Sequence, residues 1–226
     1  VITNCTGRKR TGFETLRLSV LHVGGAPRDV ARAWVKHLER WDRRVIAGDF
    51  YVGRAFLNAQ KTSEDLSAPL LILSAGLGLI SSKDLIPTYD LTVSSGDNNV
   101  LKRFDLTNPQ SSDWWQALNN EIGNPKPLKS LVDSSPNKIF FIALPSTYLG
   151  MVAPELNELS IDQISKLRIF TSELGRAYLS DCLLKQVIPY DDRLETTRFA
   201  GTRSDFPQRA LRHFVSELNA DGLSLD

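Results

Sequence analysis

Cys5 closes a short apolar stretch, Val1-Ile2-Thr3-Asn4, and is followed by Thr6-Gly7-Arg8-Lys9-Arg10. A thiol in that position would sit among backbone amides and three cations. Such surroundings favour the thiolate, the form in which a cysteine attacks an electrophilic carbon. Thr6, Gly7 and Arg8 would then hold the substrate beside it. The competing role is a small buried residue that finishes a strand.

A second stretch, Ser74-Ala75-Gly76-Leu77-Gly78, follows the branched aliphatic run Leu70 to Leu73 and precedes Lys83, Asp84, Tyr89 and Asp90. Its glycines allow a ligand to approach the backbone closely or the chain to take positive φ. Ser74, Gly76, Gly78 and Tyr89 therefore read as substrate-binding residues, and Asp90 or Asp84 as carriers of protons. Lys83, or the Gly76 and Gly78 amides, would stabilise negative charge as it develops. The alternative is a tight turn with solvated side chains, because neither the full dinucleotide spacing nor a P-loop is present.

Elements with two periodicities must position these groups. Val30, Trp34, Leu38, Trp41 and Val45 recur at helical spacing, which predicts a helix over Pro27 to Ile46 ended by Gly48, and Tyr51 to Thr62 begins a second helix. Ile139 to Leu144 reads as a fully buried strand, Pro145-Ser146-Thr147 as the start of a helix, and Leu167 to Thr171 as another strand. Strands alternating with helices predict one α/β domain over 1–226, a mostly parallel sheet with helices on both faces. The segment 94–136, rich in Asn, Ser, Pro and Asp around Trp114-Trp115, reads as an irregular insertion or lid offering a stacking surface. In such sheets the ligand lies beyond the carboxyl ends of the strands. Loops beginning at Asn4, Ser74, Pro145 and Thr171 are thus expected to bring Cys5, Arg8, Ser74, Asp90, Ser146 and Ser172 to one crevice.

Three stretches together carry a family resemblance. Ile2-Thr-Asn-Cys5-Thr-Gly-Arg8-Lys9-Arg10, Tyr51-Val-Gly53-Arg-Ala-Phe56, and Ile72-Leu-Ser74-Ala-Gly-Leu-Gly78 continuing to Tyr89-Asp90-Leu-Thr92 resemble the YaaA-related family of bacterial proteins. The likeness covers roughly the first ninety residues. It implies association with DNA in bacterial stress or phage defence. Through DpdC-type members, it also implies chemistry on deazaguanine bases and partner proteins of a modification system. On that analogy the chain would hydrate the nitrile of a 7-cyano-7-deazaguanine base to the amide, with Cys5 adding to the nitrile carbon. Two other functions fit the residues: a non-catalytic DNA-binding protein, and a nucleotide hydrolase or glycosidase with Ser74, Asp90 and Ser146 around the sugar.

Composition narrows the classes. The chain has 226 residues, 42% of them hydrophobic, with a net charge of +1. Its longest apolar runs are strand-length, so a membrane span is not expected and a cytoplasmic location is. Cys5 and Cys182 form no disulfide framework, and His22, His37 and His213 show no metal-ligand spacing, so neither a metal nor a cofactor is expected. The charge is uneven: 1–17 and 196–213 each carry net +3. If the termini meet, Lys9, Arg10, Arg198, Arg203, Arg209 and Arg212 would grip nucleic-acid phosphate, Arg203 and Arg209 foremost. Otherwise they are ordinary solvated segments.

Overall fold

Phe140-Phe-Ile-Ala143 is apolar at every position, as a strand covered on both faces must be. In the computed structural model, which describes residues 1–12, 14–21 and 23–220 (backbone alone at 20 and 218–220), this strand lies inside an α/β fold. The described elements begin with β1 (Ile2–Asn4), β2 (Leu16–Arg17), α1 (Pro27–Glu39), β3 (Arg44–Ile46), α2 (Ala47–Phe50) and α3 (Arg54–Asp65). Next come β4 (Leu71–Ser74), β5 (Gly78–Ser81), β6 (Leu85–Pro87), β7 (Tyr89–Asp90), α4 (Ser111–Ile122) and α5 (Pro127–Ser134). The chain continues through β8 (Phe140–Ala143), α6 (Ser146–Asn157), α7 (Ile161–Ile164), β9 (Leu167–Phe170), α8 (Glu173–Arg176), α9 (Asp181–Leu184) and α10 (Phe206–Ala220).

The central sheet has the order β5-β4-β1-β8-β9, with β4, β1, β8 and β9 parallel and β5 an antiparallel edge. Side chains of β8 alternate between two cores. Phe140 and Ile142 join Trp34, Trp114 and Leu149, whereas Phe141 and Ala143 join Ala210, Leu211 and Val215 of α10. Helices therefore cover both faces of the sheet, with α10 lying on β8 and β9 beside α3 and α4 lying on β5 beside α1 and α6.

Two expectations about elements are corrected. The helix begun at Pro27 stops at Glu39; Trp41 instead donates from Nε1 to Thr88 Oγ1 at 3.0 Å, and Val45 lies in β3, paired antiparallel with β6. The apolar spacing ran on past the helix, but β-branched Val45 and Ile46 found a strand partner. Gly48 lies within α2, and the second helix starts at Arg54. In the segment 94–136, expected to be irregular, Trp114, Trp115, Leu118, Leu128 and Val132 are buried in the main core. Its polar clusters are helix punctuation, namely a capping box at Gln110 and Asp113, a left-handed C-cap at Gly123 and Pro127 opening α5.

The C-terminal helix starts from a Thr202–Asp205 capping box, and Ala210, Leu211 and Val215 face the sheet. The side chain of Leu218 and all of His22 lie outside the described residues. Among the described residues no helix is long and apolar enough to cross a membrane.

Candidate active site

From β1 the chain crosses to β4 and β5 on one side of the sheet, then to β8 and β9 on the other. β1 and β8 are neighbours whose following connections diverge, which opens a crevice beyond their carboxyl ends. A cleft of about 640 Å³ lies there. The Cys5–Lys9 loop, the start of α3, the start of α6, the 90–98 segment and Thr202 to Asp205 enclose it.

Cys5 lies at its floor, 4% exposed. Its backbone N–H donates to Leu73 O at 2.9 Å, continuing the β1–β4 pairing one residue past the strand. The sulfur lies 3.0 Å from Tyr148 Oη, across the switch point, and accepts the Ala75 N–H at 3.4 Å. Burial pushes the Tyr148 phenol up, as do negative charge at Cys5 and the bond to it, so at neutral pH the hydroxyl keeps its proton and can donate to the sulfur. Behind the loop, Gln208 Nε2 binds Asn4 Oδ1 at 2.9 Å, and Asn4 Nδ2 donates to Cys5 O at 2.7 Å. In front, Thr6 Oγ1 accepts the Gly53 N–H at 3.3 Å, and a Cβ on Gly53 would stand 2.7 Å from the Thr6 side chain.

The glycine turn is built for packing. Ser74 Oγ accepts N–H groups from Gly76 at 3.3 Å and Leu77 at 3.1 Å and meets Tyr89 Oη at 2.6 Å; Tyr89 Oη in turn meets Tyr51 Oη at 2.9 Å. All three side chains are buried, and burial, with negative charge at Cys5 next, pushes the Tyr51 and Tyr89 phenols up. Trp34 Nε1 donates to Gly76 O at 2.8 Å and Trp114 Nε1 to Ala75 O at 2.6 Å. A Cβ at Gly76 would lie 2.6 Å from the Tyr89 ring; Gly78 has φ +75° and abuts Asn119. The Gly76 amide is therefore committed to Ser74, and neither glycine borders the cleft. Trp114 and Trp115, both buried, offer no stacking surface.

The structure sorts the remaining sequence-derived residues sharply. Thr6, Gly7, Arg8, Lys9 and Asp90 line the cleft with Cys5. Lys9 Nζ binds Asp90 Oδ1 at 3.2 Å and lies 4.6 Å from the Tyr89 ring centroid, and Asn98 donates to Asp90 Oδ2 at 2.6 Å. Lys83 and Asp84 are misplaced for chemistry. β5 runs antiparallel to β4, so the chain leaves Ser74 and reaches Ser81 opposite Leu71, three residues or about 10 Å down the sheet from the cleft end. Asp84 there accepts the Ser81 N–H in a tight turn. Ser146 and Ser172 do not line the cleft and Ser74 is sealed beneath it, so no sugar is flanked by Ser74, Asp90 and Ser146.

Arg209, expected to grip phosphate, is 2% exposed. It donates to Asp205, Glu195, Phe199 O and Thr202 O, and so ties the C-terminal loop together. Burial opposes charge on Asp205, yet bonds from Arg54, Arg209 and Thr202 outweigh it and hold that carboxyl below its usual range. Arg10 and Arg203 are exposed and do not line the cleft, while Arg198 and Arg212 line a separate hollow. Tyr148 and Arg54 were missed by sequence reading. Tyr148 follows a predicted strand by a few residues, in the position the carboxyl-end rule marks; Arg54 sits inside the Tyr51-Val-Gly53-Arg-Ala-Phe56 stretch.

Among the described residues no group of three or more His, Cys, Asp or Glu side chains is placed to hold a metal ion. Comparison of the chain with family models, curated proteins and solved structures returns no match.

Proposed function

We propose that the chain is an enzyme that uses Cys5 as a nucleophile on a modified nucleobase, hydrating the nitrile of a 7-cyano-7-deazaguanine base in DNA to the amide. One observation carries this reading: the Cys5 sulfur lies at the floor of the switch-point cleft with Tyr148 Oη and the Ala75 N–H both directed at it. The resemblance to DpdC-type members supplies the substrate. The thiol adds across the nitrile, a C–S bond forms, and the thiol proton ends on nitrogen as a thioimidate. Water then attacks the same carbon, Asp90 passes one of the water's protons to the nitrogen, the C–S bond breaks as the C=O bond forms, and the remaining hydroxyl proton returns to the sulfur as the amide leaves. Donors that hold negative sulfur before addition do so again when the bond breaks. A base in duplex DNA has to leave the stack to enter the cleft.

The test is a mass-spectrometric nucleoside digest of DNA carrying the cyano base, before and after incubation with the protein. A mass gain of one water, abolished in Cys5→Ala and slowed in Asp90→Asn, is expected. An unchanged digest at stoichiometric protein overturns the proposal, and full activity in Cys5→Ala removes its covalent step.

A further inference from the structure

A second hollow, of about 290 Å³, lies where α3 meets α10 and the loop before it. Arg54, Arg198, Arg209 and Arg212 line it, and no carboxylate does. The four guanidinium groups are not equivalent. Arg209 is spent on Asp205, Glu195 and two carbonyls, and Arg54 is ion-paired with Asp205 from one side. Arg198 and Arg212 have neutral partners only: Ser216 Oγ at 2.5 Å and Asn58 Oδ1 at 2.8 Å. Among the described residues neither is ion-paired. Phe199 lies between them, with its ring centroid 5.0 Å from the Arg198 guanidinium and 5.7 Å from that of Arg212, which fixes both forks at one wall. Two uncompensated guanidinium groups held together in a concavity repel each other, and an anion with several acceptor oxygens relieves that repulsion.

We propose that this hollow binds a phosphate group, carried either by a polynucleotide backbone or by a mononucleotide. Arg54 borders both this hollow and the Cys5 cleft, and the two share α3 within about one helical turn. Assigning the phosphate to the ligand of the cleft rests on the function proposed above; phosphate binding itself does not.

The experiment measures anisotropy of a labelled, unmodified single-stranded oligonucleotide across a salt series, with deoxyguanosine monophosphate as competitor. Arg198→Ala and Arg212→Ala are each expected to weaken binding several-fold and to lower the slope of log affinity against log salt by about 0.7. Arg198→Lys should restore the slope, while Arg28→Ala, exposed on α1, binds as wild type, and circular dichroism checks each fold. Competition by the mononucleotide identifies a monoester as the occupant; its absence identifies the polynucleotide backbone. Wild-type affinity and slope in both alanine variants, or no binding of either probe at low salt, overturns the proposal. Because the oligonucleotide carries no nitrile, failure of the hydration reading leaves this result standing.

Discussion

Gly76→Ala separates a glycine kept for a ligand from one kept for packing. The added Cβ would lie 2.6 Å from Tyr89 Cε2, 2.8 Å from Cδ2 and 3.2 Å from Cζ. Carbon atoms settle at about 3.5 to 4.0 Å, so the ring has to retreat by about 1 Å. Tyr89 has nowhere easy to go: it is fully buried, with Trp34 and Phe50 ring centroids at 6.2 and 6.1 Å and its hydroxyl shared by Ser74 and Tyr51. Overpacking of this kind costs about 1–3 kcal/mol, and loosening one buried hydroxyl contact adds about 1 kcal/mol. The expected loss is about 3 kcal/mol, or about 6–12 °C in melting temperature for a chain of this length. Urea unfolding of Gly76→Ala beside Gly7→Ala checks it, because a Cβ at Gly7 meets nothing within 4 Å. Gly7→Ala should stay within about 0.5 kcal/mol of wild type. If Gly76→Ala is equally silent, the packing account of the turn is refuted.

Other outcomes follow from the same contacts. Arg209→Met removes the bonds to Asp205 and Glu195 while Asp205 keeps Arg54, and should cost about 1.5–3 kcal/mol in urea unfolding, against less than about 0.5 for exposed Arg203→Ala. The depressed Asp205 carboxyl contributes stability that is fully present above its ordinary value of 3.8 and is lost as pH falls through its lower folded value. Urea midpoints measured from pH 7 down to 3 should therefore fall less steeply in Asp205→Asn than in wild type. Tyr148→Phe removes one of the two donors to the Cys5 sulfur, and turnover of the cyano base should drop about 10- to 100-fold, the worth of a hydrogen bond to a charged group. Ser74→Ala and Tyr51→Phe share the Tyr89 hydroxyl, so their stability losses should miss additivity by at least about 0.5 kcal/mol in a double-mutant cycle.

Fold class was legible because its signals are local and periodic: the continuous apolar run of β8, the Pro27 helix start and the stripe of α10. The carboxyl-end rule also placed Cys5, Arg8 and Asp90 at one crevice. What escaped were facts set by pairing partners far away in sequence. Nothing within Gly78 to Ser81 states that it returns antiparallel beside β4, and that one pairing carries Lys83 and Asp84 to the wrong end of the sheet. The arginines of 196–213 likewise read alike along the chain. Asp205, one turn before Arg209, and Glu195, in the preceding loop, turned one arginine inward and left Arg212 at the rim.

The surroundings of Cys5 differ from the sequence reading in the same way. Read along the chain, its activators are the cations at positions 8 to 10. In space Arg10 is exposed and its backbone N–H donates to Phe50 O, and Lys9 is committed to Asp90 and the Tyr89 ring. The sulfur itself touches a buried phenol and a backbone amide. On the function proposed above, donors fixed by β4 and α6, more than neighbouring charge, would serve the sulfur, and such donors, unlike flexible cations in water, are not screened by salt. The same frame ties together the stretches around Cys5, Gly53, Ser74 and Tyr89. Thr6 requires Gly53, Tyr89 requires Gly76, and Ser74 and Tyr51 meet on one hydroxyl, so each stretch holds the next in place around the thiol.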